Sequence, residues 1–321
     1  MISQSDLRPQ IDDFYPMHTV AHAHSPLGAA GRLPSFAVVV RACRPRQWSK
    51  NALLLAAPAA AGVITRGAVV REVIVAIVAF CMISSSTYLV NDVCDRNQDR
   101  LHVRKRHRPV ASGALAVNAA LVLAAMLAVG GLAIDAAVHV NLFLVGCGYL
   151  ALTASYSVWW RRIVVVDILA IASGFVLRAV AGGVATGVPL SHWFLVMTSC
   201  GAVFVVAGKR HGELFGVVTL TAGHTRVTLR RYSTIALRLM MSAAAAGAIG
   251  AYVAWASSRP GSGPWYAITI VPVVAWLARY AALIACGHGE APEELILRDP
   301  ALLTITLTWA ALFLTAIYAG S

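Results

Sequence analysis

Acidic residues are scarce in this chain. Only 14 Asp and Glu stand against 26 Lys and Arg in 321 residues, and charged residues of both signs make up 12%. A soluble globular domain carries about 25% charged residues, so that class is excluded. Hydrophobic residues reach 59%, and the mean hydropathy is +0.71. The apolar runs are too long for barrel strands. An all-α polytopic membrane protein is therefore expected, because helices satisfy their own backbone in lipid.

Other absences narrow the reading. The six cysteines, at 43, 81, 94, 147, 200 and 286, form no CxxC pair, so neither a disulfide framework nor a zinc site follows. No P-loop, dinucleotide-binding glycine fingerprint or nucleophile elbow is present. The basic stretches lack interleaved aromatics, and nucleic acid is discounted as a partner. Residues 1–35 contain no apolar h-region before Phe36. They read as a disordered cytoplasmic tail, not a signal peptide. Residues 36–321 read as one transmembrane domain.

Nine apolar segments can be drawn in what is there: about 47–64, 69–95, 115–134, 139–157, 164–187, 191–208, 234–257, 264–286 and 301–319. Each is near spanning length, the first being the shortest and carrying Pro58. With a cytoplasmic N-terminus, the inside segments together with Arg238 hold 21 of the 26 Lys and Arg. The outside loops hold Arg66, Arg71 and Arg259, while Arg178 and Arg279 lie within apolar segments. That asymmetry sets the orientation and brings every polar motif to the cytoplasmic side.

The principal motif is Asn91 to Asp99, NDVCDRNQD, which closes the second apolar segment. On a helix, Asp92, Asp95 and Asp99 fall at i, i+3 and i+7 and share a face, which Asn91 borders. Three carboxylates on one face repel unless a cation sits among them. Hard oxygen ligands suit Mg²⁺, which commonly bridges carboxylates to substrate phosphates. Ionisable residues at a membrane helix end are a functional hypothesis by default.

Basic clusters accompany the acids. Six Lys and Arg lie between Arg96 and Arg108, Lys105 among them. They suit either anionic headgroups or a phosphate clamp. Gln47, Lys50 and Asn51 enter the first segment, as a juxtamembrane anchor or as part of a site. Tyr156 to Arg162 forms the next cytoplasmic corner. Beyond it Asp167, Ile171, Gly174 and Arg178 share one helix face. An Asp and an Arg in lipid must look inward and find partners, so Arg178 reads equally as a structural ion pair. Lys209, Arg210 and Glu213 form a third cluster, in which Lys209 and Glu213 can pair at i, i+4. Arg279 either snorkels or faces the interior. The loop 287–300 is acidic and reads as solvent-exposed.

NDVCDRNQD matches the NDxxDxxxD of the UbiA superfamily of intramembrane prenyltransferases. With the Tyr156…Arg161 corner and the nine-segment pattern, the chain resembles that superfamily from residue 44 onward. The tracts QWSKN (47–51), DRLHVRKRHRP (99–109) and RRIVVVDILAIASGFVLRAVAGG (161–183) are similar to its decaprenyl-phosphate phosphoribosyltransferase subgroup. Two departures from the subgroup are Arg161 for Lys and Val103 for Pro. Aromatic prenyltransferases of the superfamily carry a second DxxxD, where this chain has Lys209-Arg-His-Gly-Glu213.

The resemblance implies helices around a central cavity open to the cytoplasm, with Mg²⁺ as cofactor. It implies transfer of 5-phosphoribosyl from phosphoribosyl diphosphate (PRPP) to polyprenyl (decaprenyl) phosphate, with release of pyrophosphate, for cell-wall arabinan precursors. Asn91, Asp92, Asp95 and Asp99 would hold the metal. Lys50, Lys105, Arg108, Tyr156, Arg161, Lys209 and Arg210 would hold phosphates. Asp167 and Glu213 would orient cations or ribose hydroxyls. The expected setting is the plasma (inner) membrane, with membrane lipid as surrounding partner and a homo-oligomer left open. Two alternatives stand beside this reading: an aromatic or quinone prenyltransferase using a prenyl diphosphate, and an anionic-lipid transporter. The missing second DxxxD speaks against the first. The one-sidedness of the polar clusters speaks against the second.

Overall fold

The computed structural model describes residues 34–103, 105–158, 163–219, 232–258, 263–287, 295 and 298–319. Outside them lie the expected N-terminal tail (apart from its last two residues), Arg161, the basic loop with Arg226, Arg230 and Arg231, and the acidic Glu290, Glu293 and Glu294.

All regular secondary structure among the described residues is helical. Helix α1 (Phe36–Cys43) leads into a 3-10 segment (Pro45–Leu55) and α2 (Ala56–Ala60). Then come α3 (Gly67–Cys94), α4 (Arg96–Leu101), α5 (Pro109–Ser112), α6 (Val117–Val138) and α7 (Val140–Val158). Helices α8 (Val164–Ala185), α9 (His192–Thr219) and α10 (Thr234–Ser257) follow. The last are α11 (Gly263–Ile268), α12 (Ile270–Ala285) and α13 (Pro300–Ala319).

Eight helical stretches among the described residues are long and apolar enough to cross a membrane. They correspond to the last eight of the nine segments drawn from sequence. The first differs. In its place stand the 3-10 segment and α2, which end at Ala60 and are too short in residues to join the eight. A 3-10 helix rises about 2.0 Å per residue, so the pair still reaches roughly 30 Å, near the thickness of a bilayer core. Side chains hold it in place: Trp48 Nε1 donates to Ser85 Oγ at 3.0 Å, and Asn51 Nδ2 to Cys81 Sγ at 3.1 Å.

The buried residues of α3 show why this helix is central. Val69, Val73, Ala76, Phe80, Ile83 and Thr87 recur every three or four residues, the stripe of a helix packed on one face. Phe80 and Ile83 join Leu54, Leu142, Tyr149 and Ala181 in one core. Ile168, Phe204, Leu237, Tyr280 and Leu302 form another across α8, α9, α10, α12 and α13. Helix α8 belongs to both, with Ala181 in the first and Ile168 in the second.

Two close approaches depend on glycine. A Cβ on Gly131 of α6 would stand 2.7 Å from Ile83 Cγ1 and 2.9 Å from the Ala79 carbonyl oxygen. A Cβ on Gly182 of α8 would overlap the backbone of Leu54. Small residues at such crossings let membrane helices approach backbone to backbone.

Chain direction collects the polar motifs at one end: the C-terminal ends of α3, α7 and α9 and the N-terminal ends of α8 and α10. A pocket of about 730 Å³ lies at the other end, lined by Arg71, Glu72, His139, Asn141 and Gly183 to Pro189. At the motif end the charged side chains close upon one another, as described next.

Candidate functional site

The three motif carboxylates do not ride one unbroken helix. The backbone turns at Asp95 (φ −90°, ψ 2°), which ends α3 and starts α4. Asp92 and Asp99, both buried, nevertheless face one point. Arg108 Nη1 donates to Asp92 Oδ1 at 3.1 Å and to Asp99 Oδ2 at 2.6 Å. Arg44 Nη2 donates to the same Asp92 oxygen. The cation that the spacing called for is thus supplied by two guanidinium groups. Asp95 is half-buried at the break, and Asn91 Oδ1 accepts from Ser157 Oγ on α7.

Local sequence aims both arginines. Arg108 precedes Pro109, which disfavours the helical region for it; it is extended (φ −65°, ψ 143°) and opens α5. Gly113 (φ 83°) closes that one-turn helix. Arg44 ends α1 in the left-handed region (φ 55°, ψ 62°), and among the described residues it is the only non-glycine there. A non-glycine residue so held must be over-determined by its surroundings. Here the carboxylate of Asp92 and the ring of Tyr88, 5.2 Å from the guanidinium carbon, fix it.

A second cluster surrounds Asp167, close to the start of α8. Oδ1 accepts from Tyr156 Oη at 2.6 Å and Arg210 Nη2 at 2.8 Å. Oδ2 accepts from Arg210 Nε at 2.6 Å and Tyr232 Oη at 2.9 Å. Arg210 also reaches Glu213 at 2.6 Å through Nη1, so Glu213 takes an i, i+3 partner. Burial and the adjacent Asp167 charge push the Tyr232 phenol upward, which keeps it a donor. Asn91–Ser157 and Tyr156–Asp167 use neighbouring residues of α7, and this joins the two clusters.

Three further sequence candidates are lysines. Lys50 Nζ donates to Gln47 Oε1 at 2.5 Å. Lys105 is half-buried in the turn Lys105–His107, its amide donating to His102 Nδ1 at 3.4 Å. Lys209 is half-buried on α9 beside Arg210. Arg279 pairs with Asp299 at 2.7 Å on an exposed edge and does not face the interior. Among the described residues Arg178 takes no carboxylate: its partners are Asn51 Oδ1, the Gly174 carbonyl and Tyr149 Oη.

Three contributors were not sequence candidates. Arg44 stands three residues ahead of Gln47, and its Arg-Pro step is a usable signal. Tyr232 borders a loop, and its approach to Asp167 is purely tertiary. Ser157 next to Tyr156 carries no signal of its own.

Among the described residues no three His, Cys, Asp or Glu side chains group as a metal centre. The donors do fit a hard divalent ion of another kind. Mg²⁺ is usually held by one or two carboxylates together with substrate phosphates, and Asp92 and Asp99 converge on a single cationic nitrogen.

Fold and site together define an integral membrane helical bundle with an acid-and-arginine site at one end. The chain belongs to the UbiA prenyltransferase family, whose model matches residues 52–303. It is similar to the decaprenyl-phosphate phosphoribosyltransferase of Corynebacterium glutamicum, 39% identical over 288 residues, 87% of this chain and 86% of that one. It is likewise similar to the enzyme of that name from Mycobacterium tuberculosis strain H37Rv, 40% identical over 278 residues, 85% and 92% of the two chains. The fold matches a solved UbiA homolog from Archaeoglobus fulgidus bound to DMAPP and Mg²⁺, with a TM-score of 0.67, 18% identity, and coverage of 88% and 98%.

Proposed function

We propose that the chain transfers a 5-phosphoribosyl group from PRPP to a polyprenyl phosphate, decaprenyl phosphate being the acceptor named in its relatives, and releases pyrophosphate. The observation that carries this is identity of 39–40% with two decaprenyl-phosphate phosphoribosyltransferases over at least 85% of each chain. The product would feed cell-wall arabinan synthesis. The site would face the cytoplasm of the plasma membrane, in keeping with the distribution of Lys and Arg.

Charge chemistry supports the reading. The donor brings a diphosphate and a separate 5-phosphate, and the acceptor brings a third phosphate group. Such a load needs several cations, and the motif end offers Lys50, Arg44, Lys105, Arg108, Lys209 and Arg210. Arg108 and Arg44 would turn from carboxylates toward the diphosphate, for which guanidinium gives two parallel hydrogen bonds. Asp92, Asp95 and Asp99, with Asn91, would hold Mg²⁺, which supplies neutralisation of the leaving diphosphate. Asp167, with four hydrogen bonds on its two oxygens, sets the orientation of Arg210, whose two remaining guanidinium hydrogens can meet phosphate, while Tyr156 spends its one hydroxyl hydrogen on Asp167 and could meet a phosphate only by turning from it.

In the transfer, the bond from C1 of the ribose to the diphosphate oxygen breaks, and a bond from C1 to an acceptor phosphate oxygen forms on the opposite face. Charge develops at C1 as in glycosyl transfer. The acceptor needs no general base, because a phosphate monoester is already anionic at neutral pH.

A donor comparison tests the proposal. Purified protein in detergent receives either PRPP with a polyprenyl phosphate, or a prenyl diphosphate with an aromatic acid, each with Mg²⁺. Turnover of the first pair alone is expected. Turnover of the second pair alone would replace the proposal with aromatic prenyl transfer.

A further inference from the structure

Arg178 is a buried cation inside a membrane helix, with 4% of its surface exposed. It stands eleven residues along α8 from Asp167, about 16 Å deeper at 1.5 Å per residue. Its guanidinium donates from Nε to Asn51 Oδ1 at 2.8 Å, from Nη1 to the Gly174 carbonyl at 2.8 Å and from Nη2 to Tyr149 Oη at 2.7 Å. The guanidinium carbon also lies 4.7 Å from the centre of the Tyr149 ring. Every one of these partners is neutral. An arginine has five N–H groups in a planar fork, and these contacts use three. Asp135 of α6 packs near Gly146, one turn along α7 from Tyr149, yet neither of its oxygens has a hydrogen-bond partner. It therefore does not neutralise Arg178 by contact.

A charge in the hydrocarbon layer is expensive and marks function when it is retained. Breaking or omitting the partner of a buried charge is worse than burying a pair. The surroundings of Arg178 are arranged to hold a positive charge, not to cancel it. A polar line leads from it to the acid motif. Asn51 lies beside Ser84 and Cys81; Tyr88, one turn further along α3, meets Arg44; and Arg44 meets Asp92. From Asp92 to Ser84 along α3 is about 12 Å.

We propose that Arg178 is a membrane-embedded anion site for a phosphate monoester, and that this phosphate belongs to the lipid acceptor. The proposal rests on the phosphoribosyl-transfer reading above. A prenyl phosphate reaches the site from lipid, below a donor held at Asp92 and Asp99, and presents its oxygen toward the motif end. The two remaining guanidinium hydrogens would meet it while Asn51 and Tyr149 keep the fork in place. Discrimination between a prenyl phosphate and the corresponding prenol would then reside largely in this one side chain.

The test measures binding of polyprenyl phosphate, polyprenol and PRPP to purified full-length protein in nanodiscs, for wild type, Arg178→Gln and Arg178→Lys. Wild type should prefer the phosphate over the alcohol by about tenfold or more. Arg178→Gln should lose that preference, Arg178→Lys should recover most of it, and PRPP affinity should change less than about threefold in either. Unchanged lipid-phosphate binding in Arg178→Gln overturns the proposal, as does a loss confined to PRPP, which would make the phosphate the donor's. A purely structural fastener would make Lys as damaging as Gln, since an ammonium cannot span the three acceptors. If the variants do not fold, wild type is photolabelled with a polyprenyl phosphate carrying a diazirine beside the phosphate. Labels near Tyr149 and Gly174 support the site, and labels confined to residues 96–108 overturn it. Arg178-dependent lipid binding in a protein that cannot use PRPP would leave this site standing and remove the transfer reading.

Discussion

Arg210 and Asp167 meet fork to fork, Nε to Oδ2 at 2.6 Å and Nη2 to Oδ1 at 2.8 Å, with both side chains almost wholly buried. The pair joins α9 to α8 where a second acidic motif would stand in an aromatic prenyltransferase. Removing one partner leaves the other charge buried and alone. Arg210→Ala should therefore destabilise the protein by about 3–5 kcal/mol, read as thermal unfolding in detergent. The double variant Arg210→Gln with Asp167→Asn should be less damaged than the sum of the singles. Additivity would mean that the two side chains are not coupled.

Asp95 is half-buried at the break between α3 and α4. Asp95→Ala is expected to keep the unfolding temperature within a few degrees while kcat falls at least about 100-fold. Retained turnover at saturating Mg²⁺ removes Asp95 from the metal ligands.

Arg108 touches both Asp92 and Asp99 from one nitrogen. Its loss should raise the apparent KM for PRPP by about 10- to 100-fold, the worth of a charged hydrogen bond or two. Arg108→Lys should recover only part of this, because an ammonium gives no fork. A KM effect confined to the lipid acceptor would contradict the donor assignment.

Lys209 and Asp167 should separate in kinetics. Asp167 already accepts four hydrogen bonds, so Asp167→Ala acts through the positions of Arg210, Tyr156 and Tyr232, lowering stability together with kcat. Lys209→Ala should raise donor KM with stability intact. Equal stability losses in the two variants would remove Lys209 from the phosphate contacts.

Gly182 lies where a side chain would overlap the backbone of Leu54. Gly182→Ala should cost about 1–3 kcal/mol through overpacking, seen as a lower unfolding temperature, and should disturb Asn51 and Arg178 through the displaced 3-10 segment. A neutral effect would mean that this segment shifts freely on α8.

Much of this arrangement was legible because two signals in the sequence are strong. Eight of the nine segments were set by apolar length alone, and the acid motif was set by its i, i+3, i+7 spacing. What escaped was tertiary. No Gly or Pro marks the turn at Asp95, so the acids read as one helical face. The 3-10 form of Pro45–Leu55 depends on side chains of α3 and α8 that capture Trp48 and Asn51, which no local pattern reveals. Arg44 was visible, but its left-handed backbone and its contact with Asp92 were not. Glu213 was paired with Lys209 by spacing alone, yet it meets Arg210, whose guanidinium is already fixed by Asp167. Asp135 lies just past the apolar run 115–134, and nothing in the local sequence marks its burial.

The most direct test of the central claim follows two phosphorus labels separately. Purified protein with Mg²⁺ and decaprenyl phosphate is given PRPP labelled either at the 5-phosphate or in the diphosphate. Phosphoribosyl transfer predicts that the 5-phosphate label enters the organic phase while the diphosphate label leaves as aqueous pyrophosphate in equal amount, and that EDTA stops both. Diphosphate label in the lipid, or no movement of the 5-phosphate label with folded protein, contradicts the account.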